Sequence, residues 1–157
     1  MTDDYTRTLP RKRMSAGLLL TDERGRVLLV EPAYKPYWEI PGGTVEADES
    51  PYAAAVREIA EELGLALTPG RLLVTDWVPP RPGRTEGLHL VFDGGVLPPE
   101  REALIRVPAD ELRGWAWCTE REAAARLPAV LARRVAAAAR ARAEGTALYL
   151  ENGTPVG

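Results

Sequence analysis

The stretch that decides the fold is residues 43–65, which read GTVEADESPYAAAVREIAEELGL. It places three carboxylates, Glu58, Glu61 and Glu62, within five residues. An α-helix has about 3.6 residues per turn, so Glu58 and Glu62 would stack one turn apart with Glu61 beside them. Carboxylates held this close repel one another, and a hard divalent cation such as Mg²⁺ would relieve the repulsion. The pattern therefore predicts a helix that carries a metal site.

Local signals set the ends of this helix. Ser50 is a good N-cap, and Pro51 suits the first helical position. Gly64 can take the left-handed conformation that commonly ends a helix. Apolar residues at i, i+3, i+4 and i+7 predict a buried stripe made of Val56, Ile59, Ala60 and Leu63. The glutamates lie off this stripe and are expected to face an open side.

The same stretch resembles the Nudix box, whose pattern is G, five residues, E, seven residues, then REUxEExGU, where U is aliphatic. Every fixed position is filled, by Gly43, Glu49, Arg57, Glu58, Ile59, Glu61, Glu62, Gly64 and Leu65. The box covers 23 residues. Upstream, residues 38–43 read WEIPGG, a short strand entering a tight loop and a common lead-in to the box. The resemblance implies an α/β fold of the Nudix type, an α/β/α sandwich with a mixed β-sheet.

The resemblance also implies a reaction. Proteins of this family hydrolyse a nucleoside diphosphate linked to another group, with Mg²⁺ as cofactor, and we expect that Mn²⁺ can substitute. We expect Glu58 and Glu62 to be metal ligands and the Gly42 carbonyl to be a backbone ligand. Glu61 is expected to be either a further ligand or the base that activates water.

Further roles follow from the same resemblance. Arg57 is expected to orient the box glutamates through an ion pair with Glu49 or Glu61, a role that suits the rigid donor fork of arginine. The family often recruits one more acid from outside the box. Our first candidate is Glu111, six residues before Trp117, and the next candidates are Glu100 and Glu102.

Outside the box, apolar and alternating runs predict the remaining elements. Strands are expected at 15–21, 26–31, 72–78 and 89–92 and around Trp115 and Trp117, and helices at 120–126 and 129–143. A box helix between strands itself favours an α/β sandwich. We expect one domain over residues 1–157, with flexible tails at 1–12 and 151–157.

Substrate-binding residues are expected outside the helix. Arg81 and Arg84 lie in a proline-rich loop, and such loops commonly carry specificity while the sheet stays rigid. Tyr37 and Trp38 precede the glycine loop and could stack on a base, although aromatic residues there are more often core. His89 lies on a predicted strand and could touch substrate.

Composition restricts the classes of partner. The net charge is −3, whereas a nucleic-acid binder is more often basic, so we expect a small nucleotide-type substrate and no nucleic acid. No apolar run approaches the roughly 20 residues that span a bilayer, so no membrane association is expected. Cys118 is the only cysteine, and the N-terminus lacks an apolar signal core, which favours the cytoplasm. A homodimer is a candidate assembly.

Two other functions were weighed. A catalytically silent Nudix-like module could sense a nucleotide or bind a partner, but such modules often lose box glutamates, and this chain keeps them. Isopentenyl diphosphate isomerase would need a catalytic cysteine, and Cys118 reads instead as a buried structural thiol. Among hydrolase substrates, nucleoside triphosphates, nucleotide sugars, ADP-ribose and dinucleoside polyphosphates all stay open.

Overall fold

The structure is a computed structural model that describes residues 2–157, with side chains from Asp4 onward. Its helices are α1 (Thr2–Thr8), α2 (Pro51–Leu63), α3 (Pro99–Glu102), α4 (Glu120–Arg126) and α5 (Ala129–Glu144). Its strands are β1 (Arg13–Thr21), β2 (Val27–Pro32), β3 (Gly42–Thr44), β4 (Leu72–Val78), β5 (Gly87–Val96), β6 (Leu112–Cys118), β7 (Leu148–Glu151) and β8 (Thr154–Pro155).

The strands form one mixed sheet in the order β6-β2-β1-β5-β4-β7-β8, with β3 paired to β1. The β1–β5 and β4–β7 pairs are parallel, and the other pairs are antiparallel. This is the mixed sheet that the resemblance implied. In the β1–β5 register Ser15 pairs with His89, and both residues line the cleft described below.

Helices cover the sheet on both faces. Leu18 and Leu20 of β1 belong to a core cluster that includes Ile59 of α2, whereas Leu19 belongs to a second cluster that includes Val135 of α5. Successive strand residues point to opposite faces, so α2 and α5 lie on opposite sides of the sheet. A strand covered on both faces reads as a continuous apolar run, as β1 does. The predicted α/β/α sandwich is confirmed.

The predicted limits of α2 are confirmed. The Ser50 hydroxyl accepts the Ala53 N–H, Pro51 is the first helical residue, and Gly64 caps the end with a φ of 68°. The predicted stripe is partly wrong, because Val56 is only half-buried and Ala60 is exposed. The fully buried residues are Ala54, Ala55, Ile59 and Leu63. The small alanines let the helix approach the sheet closely, which rotates its buried face.

Most other predicted elements are confirmed, including a strand at Leu72–Val78 and a helix at Glu120–Arg126. The short strand expected at the start of residues 38–43, ahead of the tight loop, is wrong. Only Glu39 pairs there, in one isolated bridge to Val30, and the strand proper is Gly42–Thr44. Pro41 lies between the two and has no N–H to donate, which interrupts the ladder.

The two segments expected to be flexible tails contain regular structure. Within 1–12, residues Thr2–Thr8 are helical, and within 151–157, Thr154–Pro155 pairs with β7. Mobility of these segments stays a prediction. No helix in the part of the chain described by the structure is long and apolar enough to cross a membrane.

Candidate active site

The two glycines of β3, called the glycine loop below, let this strand approach the box helix closely. At Gly42, where φ is 150°, an added Cβ would lie 2.4 Å from the Ala16 carbonyl oxygen. An added Cβ at Gly43 would lie 2.4 Å from the carboxyl carbon of Glu58. The Gly42 N–H donates to Glu62 Oε1 at 2.7 Å. The sequence Gly42-Gly43 is thus a steric requirement of the site, because any side chain would displace strand β1 or the glutamate.

Arg57 organises the acidic side chains around it. Its Nε and Nη2 donate to the two carboxylate oxygens of Glu49 at 2.8 and 2.9 Å, and Nη1 donates to Glu58 Oε1 at 3.0 Å. Nη2 also donates to the Thr44 carbonyl at 3.0 Å. Of the two partners expected for Arg57, Glu49 is therefore the close one. The Glu61 contact is longer, at 3.4 Å, and the Glu61 side chain is 52% exposed.

The ion pair sets the charge of Glu49. Hydrogen bonds from the Arg57 guanidinium, followed by the Glu46 N–H, lower the pKa of Glu49 to about 2. Glu49 is consequently ionised at neutral pH. It holds Arg57 in a two-pronged contact that fixes the orientation of the guanidinium over the helix.

Glu58 and Glu62 behave in the opposite way. Burial raises the pKa of Glu62 to about 8, and the negative charges of Glu58, Glu39 and Glu111 add to that increase against the Gly42 hydrogen bond. Burial also raises the pKa of Glu58, although Arg57 opposes the shift. These carboxylates are held together without enough positive charge to compensate them, a situation typical of functional sites.

The donor set fits a hard divalent cation. Glu58 Oε1 is bonded to Arg57 and Glu62 Oε1 to Gly42, and each carboxylate keeps Oε2 without a hydrogen bond from residues 2–157. Oxygen donors with excess negative charge are what Mg²⁺ prefers. In the described part of the chain, however, no three acidic, histidine or cysteine side chains already converge on one point.

The residues predicted outside the helix have different positions. Glu111 acts electrostatically on both Glu58 and Glu62, so the structure brings this acid towards the box. Glu102 instead accepts the Trp117 Nε1–H beside a separate cavity, and Glu100 is exposed on the short helix α3. The Gly42 N–H donates to Glu62, and coordination of a metal ion by the Gly42 carbonyl stays a prediction.

Beside the glycine loop lies a cleft of about 680 Å³ with cationic walls. Its basic side chains are Arg11, Lys12, Arg13, Lys35, Arg84 and Arg134. Gly43, Glu46 and Glu49 line the same cleft, so it adjoins the box. A cleft that combines positive walls with neighbouring carboxylates suits an anionic substrate bound together with a cation.

Most of the predicted substrate residues meet at this cleft. Tyr37, Arg84 and His89 line it, and Arg81 lines an adjoining cavity of about 80 Å³. Trp38 is different. It packs against the core cluster on the α5 side, with the guanidinium carbon of Arg126 4.6 Å from its ring centroid. The structure thus favours a structural role for Trp38, because the backbone turns its ring away from the Tyr37 side.

His89 is held neutral by its surroundings. Its Nδ1 lies 2.6 Å from the Ser15 hydroxyl, across the parallel β1–β5 pair. Burial lowers the pKa of His89 to about 3, and the positive charges of Arg134, Arg13 and Arg84 contribute to the decrease. A proton on His89 would add a fourth charge to this cationic group.

The cationic wall was missed in the sequence. The basic run at 11–13 and Arg134, a charged residue within an alanine-rich helix, were its only local signals. Glu39 was missed too, although it precedes the glycine loop, acts on Glu62 and pairs with Lys35 at 2.7 Å. Cys118 is buried, as expected for a structural thiol.

The fold is thus an α/β sandwich in which a glutamate-rich helix packs over paired glycines. The family model described as NUDIX domain matches residues 11–139. The chain belongs to the Nudix family.

Relatives resemble this chain over part of their length. Diphosphoinositol polyphosphate phosphohydrolase 2 of Mus musculus is 40% identical over 73 residues, which are 46% of this chain and 41% of that protein. RNA pyrophosphohydrolase of Halorhodospira halophila is 42% identical over 53 residues, 34% of this chain and 29% of that protein. The chain thus spans less than half the length of these curated relatives.

A solved structure supports the fold. The MutT protein from Methanosarcina mazei Go1 superposes with a TM-score of 0.67 over 88% of this chain and 99% of that one, at 23% identity. At this identity the likeness concerns the fold alone.

Proposed function

We propose that this chain is a metal-dependent hydrolase that cleaves a pyrophosphate bond in a small, nucleotide-type substrate. The observation that carries the proposal is the pair of half-buried carboxylates, Glu58 and Glu62, which have raised pKa values and contact the two glycines beside a cationic cleft. Carboxylates without compensating charge, next to a wall that attracts anions, are the arrangement that metal-assisted phosphoryl chemistry needs.

Mg²⁺ would be held by Glu58 and Glu62, with Glu61 and the Gly42 carbonyl as further candidates, and Mn²⁺ would substitute. Such an ion, when bound, neutralises phosphate charge and makes water a better nucleophile. Arg57 orients Glu58, and Glu49 in turn orients Arg57. Glu61 is our candidate for the proton acceptor because its side chain is half-exposed and only weakly held by Arg57.

The cleft residues bind and orient the substrate. Arg84, with Arg81 beside it, would hold charged or polar groups of the portion that leaves. Tyr37 offers an aromatic surface at the same wall. His89 is neutral at physiological pH, so its role would be hydrogen bonding and contact, with no proton transfer.

The relatives support the reaction class. By name, one is a phosphohydrolase of diphosphoinositol polyphosphates, and another is an RNA pyrophosphohydrolase. For this chain we propose a small-molecule substrate, because the net charge of −3 offers little for a long nucleic acid. A cytoplasmic location fits the single cysteine, and a homodimer stays a prediction.

The proposal is tested by incubating the protein with a panel of phosphoanhydrides and following the products by mass spectrometry. The panel holds nucleoside triphosphates, nucleotide sugars, ADP-ribose, dinucleoside polyphosphates, a diphosphoinositol polyphosphate and a 5′-triphosphorylated RNA. We expect turnover of at least one small molecule with Mg²⁺ or Mn²⁺ and none in excess chelator.

The matched control is the exposed Glu144→Gln variant, which should keep full activity, compared with Glu62→Gln, which should lose it. Undiminished turnover in chelator would refute the metal site. Tight binding of one panel member without any turnover would instead support the silent nucleotide-binding module.

A further inference from the structure

A buried ion pair fixes one arginine in the wall of the cleft. Arg134 of α5 donates its Nε–H to Asp76 Oδ2 of β4 at 2.7 Å. Asp76 is 0% exposed and Arg134 is 9% exposed. The second carboxylate oxygen of Asp76 accepts the Gly153 N–H at 2.9 Å, from the turn between β7 and β8. A charged pair withdrawn from water is costly, so its position at the edge of a cleft indicates a further role for Arg134.

Only one edge of the Arg134 guanidinium is used by this pair. Within residues 2–157 its terminal amino groups have no hydrogen-bond partner, and neither nitrogen is among the atoms closed off from solvent. Arg134 lines the main cleft and both smaller cavities next to it. A planar guanidinium with free amino groups is well suited to two parallel hydrogen bonds with a phosphate.

Other cations face the same place. Arg134, Arg13 and Arg84 all act on His89 and share the cleft with it. Arg13 is itself anchored by an uncharged partner, since its Nε donates to the Thr85 hydroxyl at 2.8 Å. Its charge is therefore not neutralised by that contact. Asp76 balances the charge of Arg134 alone, and within residues 2–157 neither Arg13 nor Arg84 has an ion-pair partner, so the cleft attracts an anion.

The carboxylates and these cations belong to opposite sides of the fold. Glu58 and Glu62 project from α2 on one face of the sheet, whereas Arg134 projects from α5 on the other. Gly43 and Arg134 nevertheless line one common cleft. A substrate that reaches the carboxylates with one phosphate would therefore present its remaining groups towards the α5 side.

We propose that Arg134 binds a phosphoryl group of the substrate on the α5 side of the cleft, and that Asp76 is a positioning residue that aims Arg134 there. The inference rests on the proposed hydrolysis for its substrate, and it makes that substrate one with a phosphoryl group besides those at the metal. The turn at Gly153 completes the support, because its N–H holds the other oxygen of Asp76.

The test uses binding without turnover. His89 is the only histidine, so the NMR signal of its Hε1 proton is assigned without ambiguity and reports on the cleft. Inorganic pyrophosphate is titrated into the metal-free wild-type protein in chelator at pH 7. We expect a saturable change in the His89 signal. No change in that signal at millimolar pyrophosphate would overturn the inference with the wild type alone.

Arg134→Lys then isolates the guanidinium. Lysine keeps a positive charge for the buried Asp76, so the fold should survive, but it lacks the second pair of donors. We expect the affinity for pyrophosphate to fall about 10-fold or more, the loss that a charged hydrogen bond brings. The control is Arg140→Lys on the same helix, where the side chain is exposed and outside the cleft, and its affinity should equal that of the wild type. Equal affinities for all three proteins would also overturn the inference.

Asp76→Asn tests positioning. The amide oxygen can still accept a hydrogen bond, but the charge that orients Arg134 is lost. We expect weaker pyrophosphate binding and, for an active substrate, a KM that rises more than kcat falls. A purely structural role would lower the melting temperature and leave the pyrophosphate affinity of the folded protein unchanged.

The two proposals fail separately. If the wild type turns over no substrate but its His89 signal still responds to pyrophosphate, the proposed hydrolysis is refuted and the Arg134 site is kept. If Arg134→Lys hydrolyses substrate with the kcat and KM of the wild type, the Arg134 site is refuted and the proposed hydrolysis is kept.

Discussion

Replacing Glu62 with glutamine should stabilise the metal-free protein, and the gain should depend on pH. In the folded chain, burial raises the pKa of Glu62 to about 8 from an ordinary value of 4.5. Between these values the folded state holds a proton that the unfolded state has lost. The free energy of unfolding therefore falls as the pH rises through this window. The destabilising contribution of Glu62 is absent below about pH 4.5 and reaches its full size above about pH 8.

The size of the effect follows from the same pKa values. At 1.36 kcal/mol per pKa unit, a rise from 4.5 to about 8 corresponds to at most about 5 kcal/mol at high pH and about 3 kcal/mol at pH 7. Glutamine is neutral throughout, and its side-chain oxygen can still accept the Gly42 N–H. The Glu62→Gln variant should thus match the wild type near pH 4.5 and exceed it increasingly towards pH 8.

The assay is urea unfolding in chelator at several pH values from 5 to 9. Taking the difference between variant and wild type cancels the titration of the groups that do not interact with Glu62. The control is Glu61→Gln, whose side chain is 52% exposed and 3.4 Å from Arg57. Because an exposed ion pair contributes little, its unfolding free energy should stay within about 0.5 kcal/mol of the wild type at every pH.

Mg²⁺ should remove most of the difference at pH 7. Mg²⁺ at 100 times its Kd would stabilise the wild type by about 2.7 kcal/mol, and Glu62→Gln should gain much less. The reasoning is refuted if the difference in unfolding free energy between Glu62→Gln and the wild type does not change with pH. It is also refuted if the difference for Glu61→Gln changes with pH as strongly as that for Glu62→Gln.

The other predictions concern kinetics. Glu58→Gln should lower kcat at least about 10- to 100-fold for every substrate, because even residues around a metal site have effects of that size. The Arg81→Ala, Arg84→Ala double variant should mainly raise KM, and unequally among substrates, since it removes binding shared by ground and transition states. Arg84→Ala alone should account for most of that change, because Arg84 lines the main cleft and Arg81 only the small one. Steady-state kinetics on two unrelated substrates decides, and unchanged KM values on both would remove this loop from the binding site.

Local chemistry explains what could be read from the sequence. The ends of α2 depend on Ser50 and Gly64, whose capping geometry involves only residues of the same turn. The pair of Arg57 with Glu49 spans eight residues, which about two turns of helix and the preceding loop bring together. For the same reason the carboxylates of the box were found, since they share one helix.

Packing decided where local signals misled. The buried face of α2 is set by how closely Ala54 and Ala55 approach the sheet, which no helical periodicity specifies. Trp38 follows Tyr37 directly, yet it packs under Arg126 and Tyr37 lines the cleft. The neighbouring elements determine which of the two side chains faces solvent.

The sequence by itself determined the mixed α/β class, the glutamate-bearing helix with its caps, and the glycine loop, because each arises from neighbouring residues. Only the tertiary structure decided the other half of the site. Arg13, Arg84 and Arg134 lie far apart in the chain and meet because β1 and β5 pair in parallel while α5 crosses the opposite face. The burial of Asp76 and the orientation of Arg134 depend on the same packing. Their ion pair joins β4 to α5, and the two charges are removed from water only once the layers are assembled.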